Sequence, residues 1–382
     1  FNMSQAYRHV QHLAETIGPR GSCTEAEKKA ANYIKTELDQ LNLDLKEEQF
    51  KAVTSFSWVF GLIDLLLIVA ALIFPTRPQS GMILALFAFV AFILESSTFP
   101  FLSHLIPKKN SQNLVARVPA RSKPIRKVII TAHYDSSRSA LNFSPKLVKG
   151  FRRNYLLLIS AMAAEVLFYA LAVFTPLSPR LLWLLSLPCV LYILGTFLTL
   201  LHREIAGQYT PGANDNASGV AVLLEVAKIL TRFPLITTEV TLVATGAEES
   251  GTNGALAFLR RHRPTKDTYV INLDNLGIGQ LTTVTAEGII GTKAASPELL
   301  RLAKTVATEK DLALRFAPYK LLTTDGTVFL MRNYPTVSLM AFDEEGLLPN
   351  WHWPTDQASF VNPDNLDAAK ELVLGILRKL ES

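Results

Sequence analysis

Four stretches of this 382-residue chain are almost free of polar side chains: residues 56–75, 81–106, 155–174 and 181–201. The second is interrupted by Glu95 and the Ser-Ser-Thr after it, and reads as a span with a polar or kinked end. A helix rises 1.5 Å per residue, so about 20 apolar residues cross the roughly 30 Å hydrocarbon layer of a bilayer. Any one run taken alone also fits a buried core helix. The four come as two pairs, each joined by a short polar loop, TRPQS and TPLSPR. That arrangement predicts two transmembrane hairpins, residues 56–106 and 153–202, and leaves three separated pieces, 4–50, 107–150 and 203–382, to build one water-soluble domain. Pro188 and Gly195 are compatible with such helices. Asp64 and Glu165 fall inside the spans, where a carboxyl is costly; they read either as functional groups or as protonated side chains hydrogen-bonded between helices.

The spans also explain the composition. Hydrophobic residues make up 49% of the chain, and the net charge is +5. Lys46, Lys51, Lys108, Lys109, Lys146, Lys149, Arg152, Arg153 and Arg203 border the hairpins on the side of the polar pieces, whereas the loops within the hairpins carry only Arg77 and Arg180. Cytoplasmic loops collect Lys and Arg, which predicts a multi-pass protein whose polar domain faces the cytoplasm. The N-terminal FNMSQAYRHV has no apolar core and does not read as a signal peptide; Phe1 and Asn2 read as a remnant ahead of Met3. No Lys/Arg patch interleaved with aromatics is present, so nucleic acid is not an expected partner. Two cysteines, Cys23 and Cys189, support neither a disulfide framework nor a cysteine zinc site.

The polar pieces alternate helix and strand. Residues 4–41 read as two helices with the turn IGPRGS between them, and 43–54 as a strand. NLVARVPA and KVIITAHYDSS read as strands. After residue 212 the order is helix, strand, helix, two strands, helix, strand and a closing helix from Pro363. This is the pattern of an α/β domain with a mixed, largely parallel sheet covered by helices on both faces. Ligands of such sheets bind at the carboxyl ends of the strands. His133, the pair Glu248–Glu249 and Asp274 each follow a predicted strand. GANDNASG (212–219) places Asp215 in a glycine-bounded loop before a helix, with Asn216 or Ser218 as a candidate N-cap. His352 lies between Trp351 and Trp353 in a loop, where it reads either as a packed histidine or as a ligand.

Zinc in hydrolytic sites takes nitrogen and oxygen ligands and keeps a position for water. The polar clusters at His133 with Asp135, Asp215, Glu248–Glu249, Asp274 and His352 offer enough donors for this: two imidazoles and three carboxylates suit two zinc ions sharing one carboxylate, with a further carboxylate free to carry a proton.

In this order, the motifs AHYDS, GANDNASG, GAEESG, NLDNLG and NWHWPTDQ resemble the co-catalytic di-zinc aminopeptidases related to bacterial leucine aminopeptidase and to glutaminyl cyclase, a metallopeptidase M28-like group. The resemblance implies a zinc exopeptidase fold and two Zn2+ per chain. It implies that His133 and Asp274 bind one ion, Glu249 and His352 the other, and that Asp215 bridges them. Glu248 would be the general base. Asp135 would orient the His133 ring, and Asn216 would support the site across a cis peptide after Asp215. Asp325 in TTDG matches part of an Asp-His pair of the family, but Gly326 stands in place of the His; Asp325 is therefore a candidate pocket or structural residue. His104, His202 and His262 read as surface or interfacial residues. The expected substrates are peptides with a free N-terminus. The alternatives are a glutaminyl-cyclase-like acyltransferase, which typically keeps one zinc, a non-catalytic peptidase-fold membrane scaffold, and a transporter suggested only by Asp64 and Glu165.

Overall fold

A computed structural model describes residues 4–381; the expectation for Phe1 and Asn2 lies outside the described residues. In chain order the elements are α1 (Gln5–Gln11), a π-helical turn (His12–Ile17), α2 (Glu25–Asp39), β1 (Asp44–Val53), α3 (Phe56–Ile73), α4 (Pro78–Ser96), β2 (Lys108–Val118), β3 (Arg126–His133), α5 (Phe151–Phe174) and α6 (Pro179–Ala206). There follow α7 (Ser218–Arg232), β4 (Thr238–Thr245), α8 (Asn253–His262), β5 (Tyr269–Leu273), β6 (Gln280–Glu287), β7 (Lys293–Ala294), α9 (Pro297–Glu309), β8 (Arg315–Tyr319), α10 (Asp325–Leu330), β9 (Thr336–Phe342) and α11 (Pro363–Glu381). The described chain divides into two compact units: an α/β unit of residues 4–54, 108–139 and 208–381, and a helical unit of residues 55–107 and 140–207.

In the α/β unit one sheet runs in the order β1-β2-β4-β3-β5-β9-β6-β7, with β8 paired to β6. Its centre, β4-β3-β5-β9, is parallel; β2 and β6 flank it antiparallel, and β1 pairs antiparallel with β2. Successive strand residues point to opposite faces, and both faces here are apolar. Val128 and Ile130 of β3 and Leu242 of β4 pack with Val222 and Val226 of α7 and Leu372 of α11. Ile129, Val243 and Val270 point the other way, onto Leu256 and Phe258 of α8 and Phe329 of α10. A central strand buried on both faces reads as a continuous apolar run, as VIITA does in β3. The helices start on polar caps: Thr24 accepts from Glu27 N in α2 and Ser296 from Leu299 N in α9, and Thr324 and Thr327 form a capping box on α10. Strand β8 and helix α10 are absent from the expectation above. Both are short, and α10 carries no amphipathic repeat.

In the helical unit α3, α4, α5 and α6 are each long and apolar enough to cross a membrane. The second apolar run, read above as a span with a polar or kinked end, is helical from Pro78 to Ser96; beyond it Glu95 Oε1 accepts the backbone N–H groups of Phe101 (2.7 Å) and Ser103 (2.8 Å) and folds the chain into a turn. Small residues allow close approach of helices: a side chain at Gly81 would lie 2.9 Å from the Phe74 backbone, and Ala85, Ala88 and Ala91 are fully buried. Phe74 stacks on Tyr169 with centroids 4.0 Å apart, and Trp183 Nε1 donates to Ala71 O (2.9 Å). Thr196 of α6 donates to Asp64 of α3 (3.0 Å), an interhelical hydrogen bond to a carboxyl buried among apolar helices. Leu72, Phe174 and Leu191 point outward and are exposed.

Candidate active site

The parallel strands end together. His133, last in β3, is in register with Thr245, last in β4, and Asp274 follows β5. The turn after β4 carries Glu248 and Glu249, and the loop before α7 carries Asp215. His352 comes from the loop after β9, with its ring beside Trp351.

Asp215 lies between the two imidazoles. Its Oδ1 is 3.2 Å from His133 Nε2, and its Oδ2 is 3.3 Å from His352 Nε2. On the first side, Asp274 Oδ1 is 3.7 Å and Glu248 Oε2 3.9 Å from His133 Nε2. On the second, Glu249 Oε2 is 3.1 Å from His352 Nε2. All six side chains are buried. The groups His133–Asp215–Asp274 and Asp215–Glu249–His352 each have geometry able to hold a metal ion, and they share Asp215.

The local backbone explains why these side chains converge. Gly212, at φ +62°, opens the Asp215 loop, and a side chain there would meet Ser136 Cβ at 2.6 Å. The Asp215–Asn216 peptide is cis, as the resemblance implied. Asn216 Oδ1 accepts Gly219 N (3.0 Å) and so caps the following helix; it also accepts Asn275 N (3.2 Å), while its Nδ2 donates to Leu273 O (2.9 Å), tying the loop to β5. Asp135 serves the acidic turn as well as the histidine. Its carboxylate accepts Glu248 N and Glu249 N (both 3.1 Å) and Ser22 Oγ (2.6 Å), while Oδ1 lies 3.5 Å and its backbone O 3.2 Å from His133 Nδ1.

The electrostatics follow from crowding acids in a buried place. Burial raises Glu248 well above the usual carboxylate range; the His133 charge opposes this, and Glu249, Asp325 and Asp274 add to it. Burial likewise raises Glu249 and Asp274. Asp215 goes the other way: burial would raise it, but the imidazoles on either side hold it far below its ordinary value. Burial by itself would lower both histidines. The surrounding carboxylates outweigh it, raising His133 well above normal and His352 to about 9. In the metal-free protein, protons on two imidazoles thus supply positive charge on each side of Asp215.

That is the donor set a pair of divalent cations would use. With zinc–nitrogen and zinc–oxygen bonds of about 2.0–2.2 Å, ligand atoms around a tetrahedral ion lie roughly 3.3–3.6 Å apart, and the contacts above bracket that spacing. Glu249 Oε1 is buried with no hydrogen-bond partner, a costly state that a cation would relieve. The residues present fit divalent metal binding.

Asp325 is fully buried at the start of α10, where Thr245 donates to its Oδ2, and burial raises it to about 7. Its neighbour Gly326 has no room for a side chain: a Cβ would sit 2.3 Å from Ser338 Oγ and 3.0 Å from Glu287 Oε1. Glu287 is itself buried and accepts from Ser338, Thr324 (2.8 Å) and Thr327 (2.6 Å). His262 pairs with Glu48 at 2.8 Å in the α/β unit, away from the ligand groups.

Sequence reasoning missed Asp356, in the same motif as His352. It accepts Asn214 N (2.7 Å) and Asp215 N (3.0 Å), and burial raises it to about 7. It also missed Arg20, Ser22 and Glu27. The available signal was an arginine and a glutamate inside or beside a Gly/Pro turn, at positions now found fully buried or nearly so.

Residues 200–377 match the model of peptidase family M28. Aminopeptidase YwaD of Bacillus subtilis is 26% identical over 298 residues, which cover 72% of this chain. The match covers 62% of YwaD, less than two thirds of that relative's length. Among solved structures, BSAP, a zinc aminopeptidase from Bacillus subtilis, aligns with a TM-score of 0.58 at 18% identity, covering 98% of this chain and 94% of that one. A glutaminyl cyclase of Tannerella forsythia aligns with a TM-score of 0.58 at 17% identity, covering 98% and 97%. At these identities the two structures speak to the fold, a zinc-exopeptidase-like mixed α/β sheet.

Proposed function

We propose that this chain, whose residues 200–377 match the model of peptidase family M28, is a membrane-anchored, zinc-dependent aminopeptidase that removes N-terminal residues from peptides. The observation that carries this reading is Asp215, with one carboxylate oxygen facing each of two complete ligand groups. His133 and Asp274 would hold one zinc, Glu249 and His352 the other, and Asp215 both. Bound there, the ions would supply Lewis-acid polarisation of the scissile carbonyl and acidify a water.

The remaining chemistry belongs to the chain. Glu248 belongs to neither of the two groups that share Asp215, although it also stands with His133 and Glu249 in a third group able to hold an ion; in the proposed mechanism it stays free of the metal. Its carboxylate takes a proton as water adds to the carbonyl carbon and returns it to the amine nitrogen as the C–N bond breaks. Asp135 fixes the His133 ring and, through two backbone N–H groups, the turn carrying Glu248 and Glu249. Ring-fixing carboxylates of this kind are usual beside metal-bound imidazole. Asn216 and Asp356 hold the loop of Asp215. The bland reading of Asp325, as a structural residue under the site, is favoured by its complete burial.

The α/β unit would be the catalytic domain, and the hairpins of the helical unit its anchor in a lipid bilayer. Support for the anchor is the exposure of large apolar side chains around helices long enough to span. Support for a cytoplasmic catalytic domain is the excess of Lys and Arg where the chain enters and leaves the hairpins; a cysteine placed in residues 76–80 should then react only with reagent added from the opposite side.

The activity is tested with detergent-purified, zinc-loaded protein on three peptides that differ at the N-terminus: a free amine, an acetylated amine and an N-terminal glutamine. Stepwise release of the first residue is expected from both peptides with a free amine, the glutamine peptide included, and not from the acetylated one. Cyclisation of the glutamine peptide without hydrolysis would instead support the acyltransferase reading, which the glutaminyl cyclase fold match keeps in view.

A further inference from the structure

We propose that residues 18–27, which lie outside the stretch matched to the family model, are a positioning element of the metal site, acting through Arg20 and Glu27. The inference rests on the two-zinc reading above. Neither residue faces a ligand atom; each holds the backbone of a loop that carries ligands.

Arg20 is fully buried. Its guanidinium donates to Pro211 O (2.5 Å) and Gly212 O (2.6 Å), the two residues that open the Asp215 loop. It also donates to Tyr134 O (2.7 Å), between His133 and Asp135, and to Leu13 O and Gly18 O on its own side. Its backbone exchanges hydrogen bonds with Ser136, Arg20 N to Ser136 Oγ (3.0 Å) and Ser136 N to Arg20 O (3.1 Å). The guanidinium packs directly under the loop, since a Cβ on Gly212 would lie 3.1 Å from Arg20 Nη2.

Glu27, in the first turn of α2, accepts Ala247 N at Oε1 (2.8 Å). The next two N–H groups of that turn, those of Glu248 and Glu249, go to Asp135. Three successive donors are thus held by two carboxylates, which fixes where both acids point. Ser22 links the two halves by donating to Asp135 Oδ2 (2.6 Å). Burying a guanidinium and a carboxylate is unfavourable unless every donor and acceptor is used; here Arg20 bonds to Tyr134, Pro211 and Gly212 and Glu27 to Ala247, on the loops bearing His133, Asp215 and Glu248–Glu249, while Glu27 also accepts Cys23 N (2.9 Å) and Ser111 Oγ (3.0 Å). Metal affinity depends on ligands being held in place before the ion arrives.

The test uses the full chain in detergent, titrated with zinc against a fluorescent chelator well below its melting temperature. Arg20→Lys keeps the charge, but a single ammonium cannot serve carbonyls on both loops. Glu27→Asp withdraws the carboxylate from Ala247 N, whereas Glu27→Gln keeps an oxygen able to accept from it. Supporting affinities of metal-bound histidines are usually worth 10–100-fold, so Arg20→Lys and Glu27→Asp should weaken zinc binding by about that factor and Glu27→Gln by no more than about threefold. Tyr33→Phe, which removes the Tyr33–His9 contact (2.7 Å) from the same helix, should lower the melting temperature and leave zinc affinity unchanged. Folded Arg20→Lys and Glu27→Asp proteins that bind zinc as wild type does, with only a lower melting temperature, would overturn the inference and leave the two-zinc reading intact. A wild-type protein that binds no zinc would overturn both.

Discussion

Stripped of metal, the protein should become less stable as the pH rises from about 6 to 9, and zinc should reverse that trend. Four groups set the sign. Burial lowers His352, but Glu249 and Asp215 outweigh it and raise the imidazole from 6.5 to about 9. His133 is raised well above its ordinary value by its carboxylate neighbours. Burial raises Asp356 from 3.8 to about 7 and Glu248 well above the normal range. Each binds its proton more tightly in the folded chain than in the unfolded one. The stability each contributes is complete below its unfolded value and is lost as the pH rises through its folded value. One extra proton on the folded state corresponds to about 1.4 kcal/mol per pH unit. His352 alone, between its unfolded and folded values, accounts for about 2–3 kcal/mol, or roughly 5–10 °C in Tm for a domain of this size. Metal ligands must be deprotonated, so zinc affinity tightens over the same interval and its stabilisation grows with it. Thermal melts of chelator-treated and zinc-loaded protein across this range check both slopes. A metal-free Tm that is flat or rises with pH, or a zinc-induced shift that shrinks, would refute the reasoning.

Other perturbations separate the parts of the site. Glu248→Gln should leave zinc content unchanged and lower kcat by about 10²–10⁴-fold, the usual worth of a positioned base; single-turnover rates together with elemental analysis check both halves. Asp356→Asn replaces one oxygen that accepts a backbone N–H with an amide that cannot, a loss of about 1.5–3 kcal/mol that should appear as a lower Tm together with weaker zinc binding. Gly326→Ala forces a methyl against Ser338 and Glu287 at a cost of about 1–3 kcal/mol; it should lower Tm without altering zinc affinity.

Much of this was legible in the residues because the signals were periodic or chemically unusual. Long apolar runs mark the helices of the helical unit without any tertiary information. The strand β3 and the turn after β4 declare themselves by apolar runs that end abruptly in His or Glu, so the placement of His133, Glu248, Glu249 and Asp274 at one sheet edge followed from α/β topology. The C-terminal limit of α4 was legible only as a polar or kinked end at Glu95: hydropathy sees apolar Phe99–Ile106 beyond it and cannot see Glu95 reaching forward to two backbone N–H groups. Short β8 and α10 lack enough residues for a period to emerge. Arg20, Glu27 and Asp356 were missed for another reason: their work is to hold backbone far away in sequence, Arg20 to Pro211 and Glu27 to Ala247, and composition carries no trace of such long-range bonds. Asp325 was found by its motif, but only the fold reveals that it is enclosed and that Glu287 and Ser338 occupy the space beside Gly326.

The most direct test of the central claim is the zinc content of folded, detergent-purified chain after exposure to zinc and removal of the excess. Asp215 shared between two ligand groups predicts two zinc ions per chain. A single ion, or none, would contradict a co-catalytic pair and with it the hydrolytic mechanism assigned to Glu248.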